Sequence, residues 1–124
     1  MKQILVVGGG LIGIRHLEAV KAHPKCSLVG LADPEMSLEI DAPRFASMAK
    51  VTASVDGVII ATPTHLHAAH GMEAAARGWP MLIEKPVAGS LQQARELAKV
   101  LQDHKIASLV GHHRRYHRVV QQLK

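Results

Sequence analysis

The stretch Ile4–His16, ILVVGGGLIGIRH, narrows the folds open to this chain more than any other. Ile4 to Val7 is a short, β-branched-rich apolar run, which suits a buried strand and is too short for a helix of its own. Gly8, Gly9 and Gly10 break it, and Gly13 follows. Gly13, Leu17 and Val20 then mark one face of a helix from Gly10 to His23, which Pro24 stops. A strand that runs through glycines straight into a helix is the first half of a βαβ unit, and such a strand needs a parallel partner. The glycines keep side chains out of the turn. Either the turn itself is tight, or something must approach its backbone.

The rest of the chain repeats the alternation. Strands are predicted at Lys2–Gly8, Ser27–Asp33, Gly57–Thr62, Met81–Glu84 and Ile106–Gly111. One helix carries the stripe Leu66, Ala69, Met72 and Ala76 and ends at Gly78. Another opens at Ser90, with Gln93 completing a capping-box pattern and Leu91, Ala94, Leu97, Ala98 and Leu101 on its buried face. Tyr116 to Lys124 begins one more. Pro34 to Val55 has the least pattern and is predicted to hold one short helix at Arg44–Lys50. Apolar strands alternating with amphipathic helices imply an α/β fold, a doubly wound parallel sheet in three α/β/α layers. A chain of 124 residues suffices for one such domain.

Composition removes several classes of function. Aromatic residues are 2% of the chain, so there is no platform for stacking bases. Cys26 is the single cysteine, which excludes an intrachain disulfide and a multi-cysteine zinc site. It reads as a small core hydrophobe at the lip of a strand, and suits a cytoplasmic protein. No apolar run is long enough for a transmembrane helix. The net charge is +5, with all ten acids at or before Asp103. The excess comes from Lys105, Arg114, Arg115, Arg118 and Lys124. That basic tail admits nucleic acid as a partner, but no DNA-reading motif accompanies it. Among nine histidines, His67/His70 and His113/His117 have one-face helical spacing. No third ligand completes either pair, so no metal site is expected. His16, His23 and His104 read as solvent-facing helix residues.

Gly8, Gly10 and Gly13 fit G-x-G-x-x-G, and Asp33 ends the next strand twenty residues beyond Gly13. In that setting Gly8 allows the turn and Gly10 lets a pyrophosphate approach the backbone. Gly13 lets the helix pack on the strand, and the helix N-terminus faces the phosphates. Asp33 would bind the adenosine ribose hydroxyls, and its charge favours NAD over NADP. The competing reading is a structural βα turn with an unrelated aspartate.

VVGGGLIGIRH and LADP, taken with GVIIATPTHLHAAHGMEAAARG and WPMLIEKPVAGS, resemble the Gfo/Idh/MocA family of nicotinamide-dependent oxidoreductases. The Glu84-Lys85-Pro86 triplet is the most specific element. The resemblance implies a Rossmann-type domain at residues 1–111. Residues 112–124 would be the hinge and the start of a second, substrate-holding domain absent from this chain. It implies Gly8, Gly10, Leu11 and Ile12 around the pyrophosphate and Asp33 on the ribose. Thr62, Pro63 and His67 would lie toward the nicotinamide, with Glu84 and Lys85 at the nicotinamide ribose or reacting centre. Lys85 is the expected catalytic group, a cation that polarises a substrate oxygen, aimed into the cleft by a cis Lys85–Pro86 bond. VGHHRRYH resembles the family's hinge, which makes His113 and Arg115 candidates for a polar substrate or for packing on the second domain. The implied reaction is hydride transfer between NAD and a hydroxyl carbon of a sugar, polyol or related molecule. The alternative is a non-catalytic dinucleotide-sensing module. This chain alone is expected to bind NAD weakly without turnover, and homo-oligomerisation stays open. One departure stands out. The twenty-two residues Pro34–Val55 are too few for the family's helix, strand and helix. The third-strand region is therefore expected to be abbreviated, or residues are missing.

Overall fold

A computed structural model describes residues 1–123. Six parallel strands form one sheet in the order β3-β2-β1-β4-β5-β6. They are β1 (Lys2–Val7), β2 (Cys26–Ala32), β3 (Arg44–Phe45), β4 (Gly57–Ile60), β5 (Met81–Glu84) and β6 (Ser108–Gly111). The helices are α1 (Leu11–Ala22), α2 (His67–Ala76), α3 (Leu91–Asp103) and the short α4 (Arg118–Gln122). This is the doubly wound, Rossmann-type order, with its switch point between β1 and β4. Ligands of such sheets bind beyond the carboxyl ends of the strands at that point.

Strand alternation divides the core into two layers. Leu5, Val7, Val58, Ile60, Met81 and Ile83 point to one face, where Ala74, Ala75 and Leu97 of α2 and α3 cover them. Val6 and Leu31 point to the other and meet Leu17 of α1. In α2 the buried residues are His67, Ala68, Gly71, Ala74 and Ala75. The stripe expected from Leu66, Ala69, Met72 and Ala76 is thus rotated, leaving Ala69 and Ala76 exposed. Small residues face inward because α2 packs close to α3 and to the sheet: a Cβ on Gly71 would stand 2.9 Å from Leu97 Cδ1 of α3 and 3.4 Å from Ile83 Cδ1 of β5. In α3 the Ser90 hydroxyl accepts from Gln93 N–H at 3.2 Å, as the cap pattern predicts. Only Leu97 of its expected face is fully buried, however, and Leu91 and Ala98 are exposed. β6 is an exposed edge, which begins at Ser108 rather than Ile106. Cys26 is half-buried at the start of β2.

The abbreviated region is resolved by omission of a helix. The eleven residues from Asp33 to Pro43 cross from β2 to β3 as irregular chain. β3 is a two-residue strand paired to Leu31 and Ala32, so the short helix expected at Arg44–Lys50 gives way to strand followed by a 3-10 turn at Met48–Lys50. Leu38, Ile40 and Ala42 cover the Leu31 cluster where a helix would otherwise lie. Arg44 ties the crossing down by donating to the carbonyls of Met36, at 2.9 Å, and Leu38. Lys21 of α1 donates to the Asp41 carbonyl. Among the described residues no helix is long and apolar enough to cross a membrane.

Candidate functional site

The four glycines of the first turn are glycine for different reasons. Gly8 has φ +99°, and a Cβ there would lie 2.6 Å from the Ala61 carbonyl oxygen and 2.8 Å from Thr62 N. It presses the β1 turn against the β4 turn across the switch point. A Cβ on Gly13 would fall on the Gly8 carbonyl oxygen, so α1 can sit on β1 only if that position is bare. A Cβ on Gly9 would strike Leu38 Cδ1. Gly10 differs. Its φ is −70°, open to any residue, and a Cβ built on it meets nothing within 4 Å. The protein's own packing does not require a glycine there.

Gly10 also leaves the start of α1 uncapped. It offers no side chain to the helix, and the first turn holds no acid. Ile14 N–H closes the first helical turn on Gly10 O at 3.0 Å, so the amides ahead of it need partners outside the helix. Leu11 and Ile12 are exposed beside them. Serine, threonine or aspartate would stabilise this helix better. An approaching anion explains both their absence and the bare Gly10, because it would accept from the free amides at the positive helix end.

Asp33 stands beside this cradle. Its Oδ2 accepts from Gly9 N–H at 2.6 Å and its Oδ1 from Glu35 N–H at 2.7 Å. The carboxylate thus braces the glycine turn and orders the loop after β2. Each oxygen keeps acceptor capacity for a further donor. Glu35 is folded alongside, and the Ser37 hydroxyl and amide that hold its carboxylate keep it below the usual range.

The other side of the switch point is built on Thr62. Its carbonyl oxygen lies 2.7 Å from His67 Nε2 and its hydroxyl 3.0 Å from His70 Nδ1. The one-face spacing of these histidines therefore serves to hold Thr62. His67 Nδ1 lies 2.7 Å from the Pro86 carbonyl oxygen, so this ring also reaches the loop after β5. His67 is buried to 2% exposure, with both nitrogens engaged by backbone. Pro63 is exposed at the rim, and so is Lys85, one residue beyond β5. The Lys85–Pro86 bond is cis, as the triplet suggested. Among the described residues no group of three histidines, cysteines or carboxylates could hold a metal.

Glu84 takes a partner that the sequence did not signal. Its Oε1 lies 2.7 Å from His16 Nε2, joining β5 to α1. His16 is therefore half-buried and paired, not solvent-facing as its helical position suggested. Glu84 lies over Gly111, its register partner on β6, where a Cβ would stand 2.9 Å from Oε1. His16 and Glu84 line a cavity of about 220 Å³ with His113 and Arg115, the residues singled out as substrate candidates. Arg115 lies 5.7 Å from the centre of the Tyr116 ring. Neither His16 nor His70 carried a sequence signal for these contacts, which join residues 68 and 8 positions apart.

His70 supplies a pH prediction. Burial pushes its pKa below the usual 6.5; Glu73 opposes the shift and His67 adds to it. The unfolded chain then binds a proton before the folded chain does. The contribution to stability is complete above about pH 6.5 and is lost as pH falls toward the depressed value. Urea unfolding at pH 7.5 and 5.5 should show a smaller drop for His70→Gln than for the parent. Equal drops would remove His70 from this role.

A glycine-turned strand-to-helix unit at the switch point, with an acid directly after β2, defines a dinucleotide-binding domain. The NAD-binding Rossmann fold of the Gfo/Idh/MocA oxidoreductase family matches residues 2–112, and this chain belongs to that family. It is 31% identical to the rhizopine catabolism protein MocA of Rhizobium meliloti, over 96% of this chain and 40% of that protein. It is 32% identical to UDP-N-acetylglucosamine 3-dehydrogenase of Acidithiobacillus ferrooxidans, over 93% of this chain and 40% of that enzyme. A solved structure of that dehydrogenase superposes with a TM-score of 0.87 at 30% identity, over 98% of this chain and 40% of the other. The chain thus spans about two fifths of the length of these relatives.

Proposed function

We propose that this chain is the cofactor-holding part of an NAD-dependent dehydrogenase that acts on a hydroxyl carbon of a sugar, polyol or related small molecule. The bare Gly10 at the uncapped start of α1 carries the reading, because an approaching phosphate explains it and internal packing does not. The pyrophosphate would rest on the amides of Gly10, Leu11 and Ile12. Asp33 would accept from the adenosine ribose. Thr62 and Pro63 would lie along the dinucleotide toward its nicotinamide, which when bound supplies the hydride acceptor. His67 would act there through the loops it holds. Lys85, an exposed cation at the carboxyl edge of the sheet, would polarise the substrate oxygen as its carbon loses hydride. His113 and Arg115 would meet a polar substrate from the β6 side, in the cavity they share with Glu84. The names of relatives support the substrate class: inositol 2-dehydrogenase of Rhizobium meliloti is 31% identical over 90% of this chain.

NAD is favoured over NADP on charge. Asp33 would present its carboxylate to the ribose, with Glu35 two residues on and its amide bonded to Asp33 Oδ1, and the nearby Arg44 donates Nη1 to the carbonyls of Met36 and Leu38. A 2′-phosphate would meet repulsion from the Asp33 carboxylate there. Fluorescence titration should show NADH binding and much weaker NADPH binding. Asp33→Asn should weaken NADH about 10-fold or more, as expected for lost hydrogen bonds to a charged group, and narrow the gap to NADPH. No NADH binding by the parent would sink the proposal. Equal binding of the two cofactors would sink the preference.

A further inference from the structure

His67 has a hydrogen-bond arrangement that a neutral imidazole cannot satisfy. Nδ1 faces the Pro86 carbonyl oxygen at 2.7 Å and Nε2 faces the Thr62 carbonyl oxygen at 2.7 Å. Both partners are backbone acceptors with no proton to give. A neutral ring has one N–H, so one of these contacts would set lone pair against lone pair at hydrogen-bond distance. The ring is 2% exposed, and water cannot relieve the mismatch.

We propose that His67 is a positioning residue that works with protons on both nitrogens, clamping the Thr62 loop after β4 to the Pro86 loop after β5. The clamped loops carry Thr62 and Lys85. These residues were assigned above to the nicotinamide end of the cleft, so the functional side of this inference rests on that reading. The clamp joins chain segments 5 and 19 residues from the histidine, one on each side. It fixes the width between the ends of two neighbouring strands, and a carboxamide, whose two N–H donors share one nitrogen, can hold only one side of it.

The surroundings fit a single charge at this point. His70, one turn along α2, is pushed toward its neutral form by burial, with Glu73 opposing and His67 reinforcing the shift. One ring of the pair then carries charge on the Thr62 carbonyl while the other stays neutral at the hydroxyl. Other ionisable groups on the surrounding elements are His65 before α2, Glu73 on α2, Glu84 and Lys85 at the end of β5, and Arg95, Glu96 and Lys99 on α3. None of them is hydrogen-bonded to His67.

The direct test is a long-range ¹H–¹⁵N spectrum of the labelled chain at neutral pH. One histidine should show both ring nitrogens protonated, with slowly exchanging N–H protons, and its signals should vanish in His67→Gln. A single-tautomer pattern for His67 would overturn the proposal. The second test is NADH titration of His67→Gln and His67→Ala, with circular dichroism to monitor folding. The glutamine variant should stay folded and bind NADH about 10-fold more weakly, with larger loss in the alanine variant. Parent-like affinity in a folded His67→Gln chain would also overturn it. If the parent itself binds no NADH, the cofactor reading fails, and the ring spectrum alone decides the clamp. If neither variant folds, the parent spectrum decides it in the same way.

Discussion

Gly10→Glu should abolish useful NADH binding while leaving the domain as stable as before. The side chain enters open space, since a Cβ at this position meets no atom within 4 Å, and φ of −70° suits any residue. A carboxylate at the start of α1 interacts favourably with the helix dipole, so the stability change should stay within about 0.5 kcal/mol. The same carboxylate occupies the place proposed for the pyrophosphate. Two like charges about 4 Å apart near a protein surface repel by about 4 kcal/mol, before any steric conflict is counted. The dissociation constant for NADH should therefore rise by about 100-fold or more. Paired fluorescence titration and thermal melting check it. An unchanged affinity would mean that the cofactor does not lie on this turn.

Gly13→Ala should do the reverse and damage the fold first. Its methyl group would coincide with the Gly8 carbonyl oxygen, which cannot retreat. Gly8 is held by its positive φ and by the Ala61 carbonyl behind it. Relief requires α1 to lift from β1, which loosens Leu17 from the buried layer over Val6 and Leu31 and strips cover from the buried Val20. Overpacking of this kind costs about 3 kcal/mol or more where backbone blocks relaxation. Against a total stability of about 5–15 kcal/mol this is a large fraction. The melting temperature should drop by about 10 °C or more. A variant that melts with the parent would show that the helix does not pack on the turn as described.

These two positions belong to one motif, and spacing alone assigns both to a phosphate turn. The apolar runs and helical stripes made the succession of strands and helices and the parallel sheet legible, because burial on both faces leaves a continuous apolar run. Asp33 was legible for the same reason, as a lone acid ending a strand at the right distance. Where the periodic signal was weak the reading slipped. Arg44 and Phe45 look helical in sequence, but pairing with Leu31 and Ala32 draws them into a two-residue strand. The α2 stripe rotated because close packing selected small residues rather than the largest apolar ones.

Local sequence therefore settled the fold class, the glycine turn and the acid beside it, since turn geometry and strand burial are set by near neighbours. It offered Gly10 as the glycine that admits a pyrophosphate, beside the alternative of a purely structural turn, but could not show which glycines the protein's own packing demands. Gly8, Gly9 and Gly13 are constrained by Ala61, Leu38 and the neighbouring backbone, whereas Gly10 is not, and that difference exists only once β1, β4 and the β2–β3 crossing are folded together. Nor could it find the two histidine contacts at the sheet edge. His16 meets Glu84 and His67 meets Pro86 across 68 and 19 residues, because a parallel sheet gathers the ends of strands that are distant in the chain.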